Sequence, residues 1–181
     1  MQKSEIRKGQ HVIYGASGIC LIDDIKEISF YSGGTRKMYC ILHPLKSKES
    51  AIYLPLDNKK LIAKIRPLLT KKEIDDLLMG IADQIPEWEN DRRRRAEIFN
   101  ETLANGHTRE LLLMIRCIYL KRSELLHKNK NLAVSDSNVL KAAEVLVEDE
   151  FSHVLNIQKD DVGEYIRNKL NIFPALQKSH T

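Results

Sequence analysis

The sequence has 181 residues, 43% of them apolar and 30% charged, which allows a packed core in one large domain or two small ones. Its net charge of +4 is unevenly spread: residues 1–70 and 92–130 are basic, and the intervening residues 71–91 are acidic. No apolar run approaches the roughly 18 residues of a membrane span, and no signal peptide is apparent, so we expect a cytoplasmic protein that does not contact membranes.

The first third of the chain has the pattern of a small β domain. Four short runs rich in β-branched and aromatic residues are separated by turn formers, at residues 10–14, 18–22, 37–42 and 51–55. Gly33-Gly34 predicts a hairpin turn, and Arg66-Pro67 is expected to close the domain because proline ends a strand. The pattern predicts a strongly bent sheet or small barrel over residues 1–66.

Beyond residue 70 the apolar residues recur with the period of a helix. Thr70 and Glu73 have the spacing of a capping box, and Asn105-Gly106 is typical of a helix C-terminus. Three further helices are predicted: one over residues 108–128, one capped by Ser135 or Ser137, and one opened by Asp160 or Asp161 and stopped by Pro174. We therefore expect an α+β protein with a compact domain of four or five helices at residues 71–171 and a tail at 172–181.

Signatures of enzymes are absent from the sequence. Gly15-x-x-Gly18 lacks the Gly-Lys-Ser/Thr ending of a phosphate-binding loop, and the pair is better explained as a turn. The three cysteines and six histidines are scattered, which argues against a metal site or a disulfide framework. We predict a protein that is not an enzyme and that needs no metal, cofactor or small-molecule substrate.

The only tryptophan, Trp88, precedes a run of four arginines in a polar setting. Trp88 could pack as a staple over the helical domain, or it could act as an exposed aromatic wedge beside a base step. The run Arg92–Arg95 could form a solvated face with partners such as Glu97, or Arg92 and Arg95, three residues apart on a helix, could grip successive phosphates. Basic residues of the next helix could extend such a surface.

Two stretches of the β half resemble the CarD/CdnL family of bacterial transcription regulators. Residues 8–18, KGQHVIYGASG, resemble the opening of that family, in which a strand leads into a glycine turn, and residues 51–58, AIYLPLDN, resemble its later strand that ends in Pro-x-Asp-Asn. The likeness continues through a tryptophan followed by arginines, a helix that ends in Asn105-Gly106, and a long basic helix. It covers residues 6–155, almost the whole chain.

The resemblance implies a Tudor-like first domain that binds the β subunit of RNA polymerase. It also implies that the helical domain contacts the minor groove and phosphates of promoter DNA at the upstream edge of the transcription bubble, where the regulator stabilises the open complex without reading sequence. The expected polymerase-binding residues are Ile52, Tyr53, Leu54, Arg36 and Lys37. The expected DNA-binding residues are Trp88, Arg92, Arg93, Arg94, Arg95, Arg116, Lys121 and Arg122.

Two alternatives remain open at the level of sequence. Trp88 lies four residues before Arg92, whereas the tryptophan of the family lies one or two residues before its arginine pair, so either Trp88 or Arg92 occupies the wedge position. The second alternative concerns the whole helical domain, which could instead belong to a protein–protein adaptor and bind an acidic partner. In the favoured interpretation, the protein is associated with the nucleoid through RNA polymerase.

Overall fold

The structure is a computed structural model, and it describes residues 6–31, 34–47 and 49–170. The chain forms two compact units. The first unit comprises Met1–Leu68 and Glu101–His107, and the second comprises Leu69–Asn100 and Thr108–Thr181. A five-stranded antiparallel sheet occupies the first unit, and helices make up the second, so the predicted α+β class is confirmed.

The sheet has the strand order β4-β3-β2-β1-β5 and is antiparallel throughout. Its strands are β1 (His11–Tyr14), β2 (Ile19–Ile28), β3 (Lys37–Pro44), β4 (Ile52–Pro55) and β5 (Ile65–Pro67). Since β4 and β5 lie at opposite edges, the sheet is open. Arg66 and Pro67 belong to β5, which ends at Pro67, and proline is tolerated there because an edge strand can lack one N–H.

The core of the first unit lies against one face of the sheet. Cys40 and Leu42 alternate along β3, and Leu54 of β4 is paired with Cys40, so the three side chains share that face. Short helix α1 (Lys59–Ile62) adds Ile62 to the same cluster. Burial raises the pKa of the thiols of Cys20 and Cys40 to about 11, which keeps both cysteines protonated and apolar in character.

Two glycines bring residues 101–107 against the turn between β1 and β2, within the first unit. Gly15 and Gly106 have φ angles of +46° and +66°, and a Cβ on Gly106 would lie only 2.7 Å from the carbonyl oxygen of Gly15. The carbonyl of Gly106 accepts hydrogen bonds from Nε and Nη2 of Arg66 at 3.3 and 3.0 Å. Only glycine combines this backbone conformation with this close approach.

Five longer helices follow: α2 (Lys71–Ile81), α3 (Arg92–Asn105), α4 (Thr108–His127), α5 (Val134–Leu155) and α6 (Lys159–Lys169). The predicted capping box is confirmed, since the N–H of Glu73 donates to the Thr70 hydroxyl and the Thr70 N–H donates to the Glu73 carboxylate, at 3.2 and 2.7 Å. The helix end predicted at Asn105-Gly106 is also confirmed.

Other local predictions fail or fall outside the described residues. The start of α5 lies at Val134 after Ala133, which has no capping side chain, so the caps predicted at Ser135 and Ser137 are wrong. Helix α6 starts after Gln158, with Asp160 and Asp161 in its first turn. The Gly33 half of the predicted hairpin turn, Pro174 and the predicted tail lie outside the described residues.

The core of the second unit contains one fully buried carboxylate among apolar side chains. Glu150 is 1% exposed and accepts hydrogen bonds from the Leu69 N–H at 3.1 Å and the Thr108 hydroxyl at 2.8 Å. It thereby connects α5 to the residues just before α2 and at the start of α4. The fully buried apolar side chains around this part of the chain come from several helices, namely Ile74, Leu78, Leu111, Ile118, Phe151 and Val162.

Candidate functional site

Strand β4 carries three of the predicted polymerase-binding residues, and the structure separates them. Tyr53 is 45% exposed, whereas Leu54 is 2% exposed and belongs to the core cluster. Ile52 is partly buried against the same cluster. Since side chains alternate across a strand, Tyr53 faces away from Ile52 and Leu54, so the predicted polymerase contact of the Leu54 side chain conflicts with its place in the core.

Within the part of the chain that the structure describes, β4 is an edge strand, and the backbone of Tyr53 faces that edge. Leu56 donates its N–H to the carbonyl of Met38 at 2.9 Å, which marks a hydrogen-bonded pair of the β3–β4 ladder. Because hydrogen-bonded and non-hydrogen-bonded pairs alternate, Tyr53 and Pro55 occupy non-hydrogen-bonded positions, and their backbone groups point away from β3. The missing N–H of Pro55 therefore costs the ladder nothing, and the N–H and C=O of Tyr53 are directed outward.

An aromatic cluster stands beside this edge, and the sequence prediction missed it. The ring of Phe30 contacts the rings of Tyr39 and Tyr53 edge to face, with centroids 5.3 and 5.7 Å apart. Phe30 itself is 55% exposed. The signal in the sequence is an adjacent pair of aromatic residues, Phe30 and Tyr31, in a loop that otherwise contains turn formers. Exposed aromatic groups of this kind are enriched where proteins bind partners.

The two basic residues predicted at this site, Arg36 and Lys37, are exposed and have acidic neighbours. Lys37 pairs with Asp57 at 2.8 Å, and this contact raises the pKa of Lys37. Arg36 lies 3.9 Å from Glu27. Both pairs are solvated, so they contribute little to stability and leave the basic groups accessible to a partner.

Helix α3 begins with the run of four arginines, which differ sharply in their surroundings. The carboxylate of Asp91 accepts the N–H of Arg94 at 2.8 Å and so caps the first turn. Arg92, Arg93 and Arg94 are exposed. Arg93 pairs with Glu97 at 3.3 Å and Arg94 with Glu89 at 3.2 Å, but their side chains remain 91% and 74% exposed.

Arg95 is buried, and this conflicts with the predicted contact of Arg92 and Arg95 with successive phosphates. Its Nε and Nη2 donate to the two carboxylate oxygens of Asp136 at 3.3 and 3.1 Å, and the side chains of the pair are 8% and 6% exposed. The remaining terminal nitrogen donates to the carbonyl of Glu89 at 2.8 Å. The guanidinium is thus engaged inside the second unit, and sequence spacing could not reveal its partner on α5.

Trp88 lies in the segment between α2 and α3, four residues before the first residue of α3. Trp88 is partly exposed. The guanidinium carbon of Arg95 lies 4.5 Å from the ring centroid, and Nζ of Lys121 lies 5.7 Å from it. The ring also meets Phe99 edge to face, with centroids 6.1 Å apart. Trp88 therefore packs on the second unit and also retains an accessible part.

The other predicted DNA-binding residues lie on α4 and have different surroundings. Arg116 donates from one terminal nitrogen to the carbonyls of Ile81 and Ala82, at 2.8 and 2.6 Å, and so caps the C-terminus of α2. Lys121 pairs with Glu124 at 2.8 Å, and its hydrogen bond and that of Lys128 lower the pKa of Glu124 to about 2. Arg122 is partly buried and lies near Tyr119. Burial is the main reason that the pKa of the Tyr119 hydroxyl is raised.

Neither a metal centre nor a membrane span is found among the described residues. No group of three histidine, cysteine, aspartate or glutamate side chains in residues 6–31, 34–47 and 49–170 is placed to hold a metal ion. Within the same residues, every helix is too short or too polar to cross a membrane.

The features above define the first unit as a β module with an exposed strand edge and an adjoining aromatic surface. Residues 6–68 match the protein-family model described as the CarD-like/TRCF RID domain, where RID denotes the RNA-polymerase-interacting domain. Domains of this family bind proteins and are not catalytic, and the family implies RNA polymerase as a partner. The match ends before the second unit, so it does not extend to the narrower CarD/CdnL assignment. A comparison with curated proteins found no match.

Proposed function

We propose that this protein is a transcription regulator that binds the β subunit of RNA polymerase and stabilises the promoter open complex without reading DNA sequence. The observation that carries the proposal is the match of residues 6–68 to the polymerase-interacting domain family. The exposed edge of β4 supports it, because an edge strand is a template for pairing with a strand of another protein.

The binding surface on the first unit follows from the geometry of β4. A strand of the β subunit that adds to β4 receives the outward N–H and C=O of Tyr53. The rings of Phe30, Tyr39 and Tyr53 then cover one face of the added strand. The exposed side chains of Arg36 and Lys37 can pair with acidic side chains of the partner. Hydrogen bonds from the edge supply affinity, and the aromatic cluster supplies apolar contact area.

Two substitutions at one position separate these contributions. Tyr53→Ala removes the ring but keeps the outward N–H, whereas Tyr53→Pro removes both. We expect both full-length variants to bind polymerase more weakly and the proline variant to bind more weakly than the alanine variant. Binding is measured by biolayer interferometry with immobilised polymerase. Ile85→Ala, which trims an exposed apolar side chain of the second unit, is the control. Wild-type affinity of both Tyr53 variants would refute the proposed binding mode.

The second part of the proposal concerns DNA. Arg92, Arg93 and Arg94 are exposed at the start of α3 close in sequence to the partly exposed Trp88, and Lys121 lies over the Trp88 ring. Arginine side chains on phosphates give affinity and position but little sequence information. An aromatic side chain beside a base step stabilises an unstacked junction. This arrangement suits the upstream edge of a melted promoter, with Trp88 as the wedge.

The experiment for this part uses polymerase, the full-length protein and fork-junction DNA. We expect the protein to lengthen the lifetime of the promoter complex and Trp88→Ala to shorten that lifetime while polymerase binding stays intact. An unchanged lifetime in Trp88→Ala would remove the wedge from the proposal and leave polymerase binding standing.

An adaptor that binds an acidic protein is the second candidate. The observation in its favour is that Arg93 and Arg94 already pair with Glu97 and Glu89, which shows that carboxylates suit these guanidinium groups. A gel-shift assay with fork-junction DNA, with and without polymerase, separates the two candidates. A DNA band that this protein shifts, alone or together with polymerase, supports the regulator. The absence of a shift caused by this protein under both conditions supports the adaptor.

A further inference from the structure

We infer that Arg95 and Asp136 are positioning residues for Trp88, and that they act on the proposed DNA contact through the orientation of the indole and not through phosphates. The inference rests on the proposed function and goes beyond it, since it assigns a functional role to Asp136 on α5 and withdraws Arg95 from the phosphate-binding set.

The first observation is the fixed geometry of the Arg95 guanidinium. Two of its nitrogens bind the two oxygens of Asp136, with distances of 3.3 and 3.1 Å, and both side chains are almost fully buried. A planar guanidinium held by a two-point contact has little freedom to rotate. The plane that it presents to its neighbours is therefore set by α5.

The second observation is what that guanidinium touches. Its central carbon lies 4.5 Å from the centroid of the Trp88 ring, which is the range of a cation–π contact. The indole also meets the ring of Phe99 in an edge-to-face arrangement, and Phe99 lies one turn further along α3 than Arg95. The ring of Trp88 is thus supported by two side chains of α3, of which one is locked by Asp136.

The third observation concerns the backbone on both sides of Trp88. The carbonyl of Glu89 accepts a hydrogen bond from Arg95 at 2.8 Å, and the carbonyl of Glu87 accepts one from the Cys117 thiol at 3.4 Å. The residue before Trp88 and the residue after it are therefore tied to α4 and α3. A non-helical segment without such hydrogen bonds would allow the indole several orientations. Each additional orientation would lower the fraction of molecules in which the indole is oriented for insertion beside a base step.

The sequence holds a single tryptophan, so intrinsic fluorescence reports on Trp88 alone. The main variant is the double substitution Arg95→Met with Asp136→Leu, because apolar residues of similar volume replace a buried ion pair without leaving an unpaired charge. Far-UV circular dichroism and thermal unfolding establish that this variant is folded. Arg95→Lys is the conservative variant, since lysine keeps the charge but loses the flat two-point contact.

We expect acrylamide to quench Trp88 more strongly in the double variant than in the wild type. The lifetime of the promoter complex should fall about two- to tenfold, the range that loss of a cation–π contact supports, toward the value of Trp88→Ala. The dependence of DNA affinity on salt concentration should not change, because Arg95 contacts no phosphate. Arg95→Lys should give an intermediate lifetime and intermediate quenching.

Three outcomes would overturn the inference. A folded double variant with the wild-type lifetime, while Trp88→Ala shortens it, would leave the wedge standing and refute the positioning role. A salt slope reduced by about one would show that Arg95 binds a phosphate after all. If Trp88→Ala itself has the wild-type lifetime, the wedge in the proposed function fails and the positioning role fails with it.

Discussion

Two glycines with positive φ differ in their surroundings, and the difference can be measured. Gly9 has a φ of +81° and nothing within 4 Å of an added Cβ, whereas Gly106 has a φ of +66° and the carbonyl oxygen of Gly15 at 2.7 Å. We expect Gly9→Ala to lower the free energy of unfolding by about 1 kcal/mol, the cost of the backbone conformation. Gly106→Ala should lower it by about 2–4 kcal/mol, because the backbone must also shift.

Urea denaturation followed by circular dichroism gives both values. Gly9→Ala serves as the matched control, since it shares the conformation and lacks the close contact. Equal losses in the two variants would mean that the approach of Gly106 to Gly15 is not a constraint on the first unit.

At the level of single residues, the sequence predicted the contacts that are local and missed those that are not. The capping box of Thr70 and Glu73 depends on residues three apart and was predictable. The role of Arg95 depends on Asp136, 41 residues further along the chain, so nothing in the spacing of the arginine run distinguishes Arg95 from its exposed neighbours.

At the level of elements, α6 is held on α2 by a polar cluster around Asp75. The Tyr165 hydroxyl donates to the Asp75 carboxylate at 2.5 Å and Lys169 pairs with it at 2.9 Å. The pKa of Asp75 is lowered mainly by the hydrogen bond from Tyr165 and, to a smaller extent, by that from Lys169. The pKa of Tyr165 is raised to about 12, mainly by burial and secondly by its contact with Asp75. Asp75 is thus ionised and paired at neutral pH.

The pH dependence of this cluster follows from the direction of the shift. Because the pKa of Asp75 is lower in the folded state, its contribution to stability is present above the ordinary value of 3.8 and is lost as the pH falls through the folded-state pKa. We expect Asp75→Asn to lower the free energy of unfolding by about 1 kcal/mol at pH 7, and by less in acid.

Urea denaturation at pH 7 and at acid pH measures the two differences. Asp76→Asn, at the exposed neighbouring position, is the control and should change stability little at either pH. A loss for Asp75→Asn that stays constant into acid would show that the carboxylate charge does not hold α6.

The elements themselves show why the proposed polymerase-binding surface was only partly predictable. Alternation along β4 suffices to place Tyr53 and Leu54 on opposite faces, once the strand is recognised. The contact of Phe30 with Tyr39 and Tyr53 depends on how the chain turns after β2, which extends to Ile28, well beyond the run predicted at residues 18–22. The spacing of Phe30, Tyr39 and Tyr53 along the chain does not reveal that their rings meet.

At the level of the whole molecule, the change of apolar period near residue 70 correctly indicated a β part followed by a helical part. The grouping of Glu101–His107 with the first unit was not foreseeable. Gly15 and Gly106 each look like ordinary turn or cap glycines in the sequence, and only their mutual approach shows that the two positions depend on each other.

The charge distribution of the whole chain makes the last prediction. The net charge is +4, so a general attraction to DNA is weak, and binding should depend on where the basic residues lie. We expect Arg92→Gln with Arg93→Gln to reduce the slope of log affinity against log salt concentration by about one to two in the polymerase–promoter complex.

Lys71→Gln with Lys72→Gln, at exposed positions at the start of α2, is the matched control and should leave that slope unchanged. Both double variants lower the net charge by the same amount, so a difference between them reports the location of the phosphate contacts. Equal slopes in the two variants would mean that the arginines at the start of α3 are solvated bystanders and that the protein does not hold DNA through this helix.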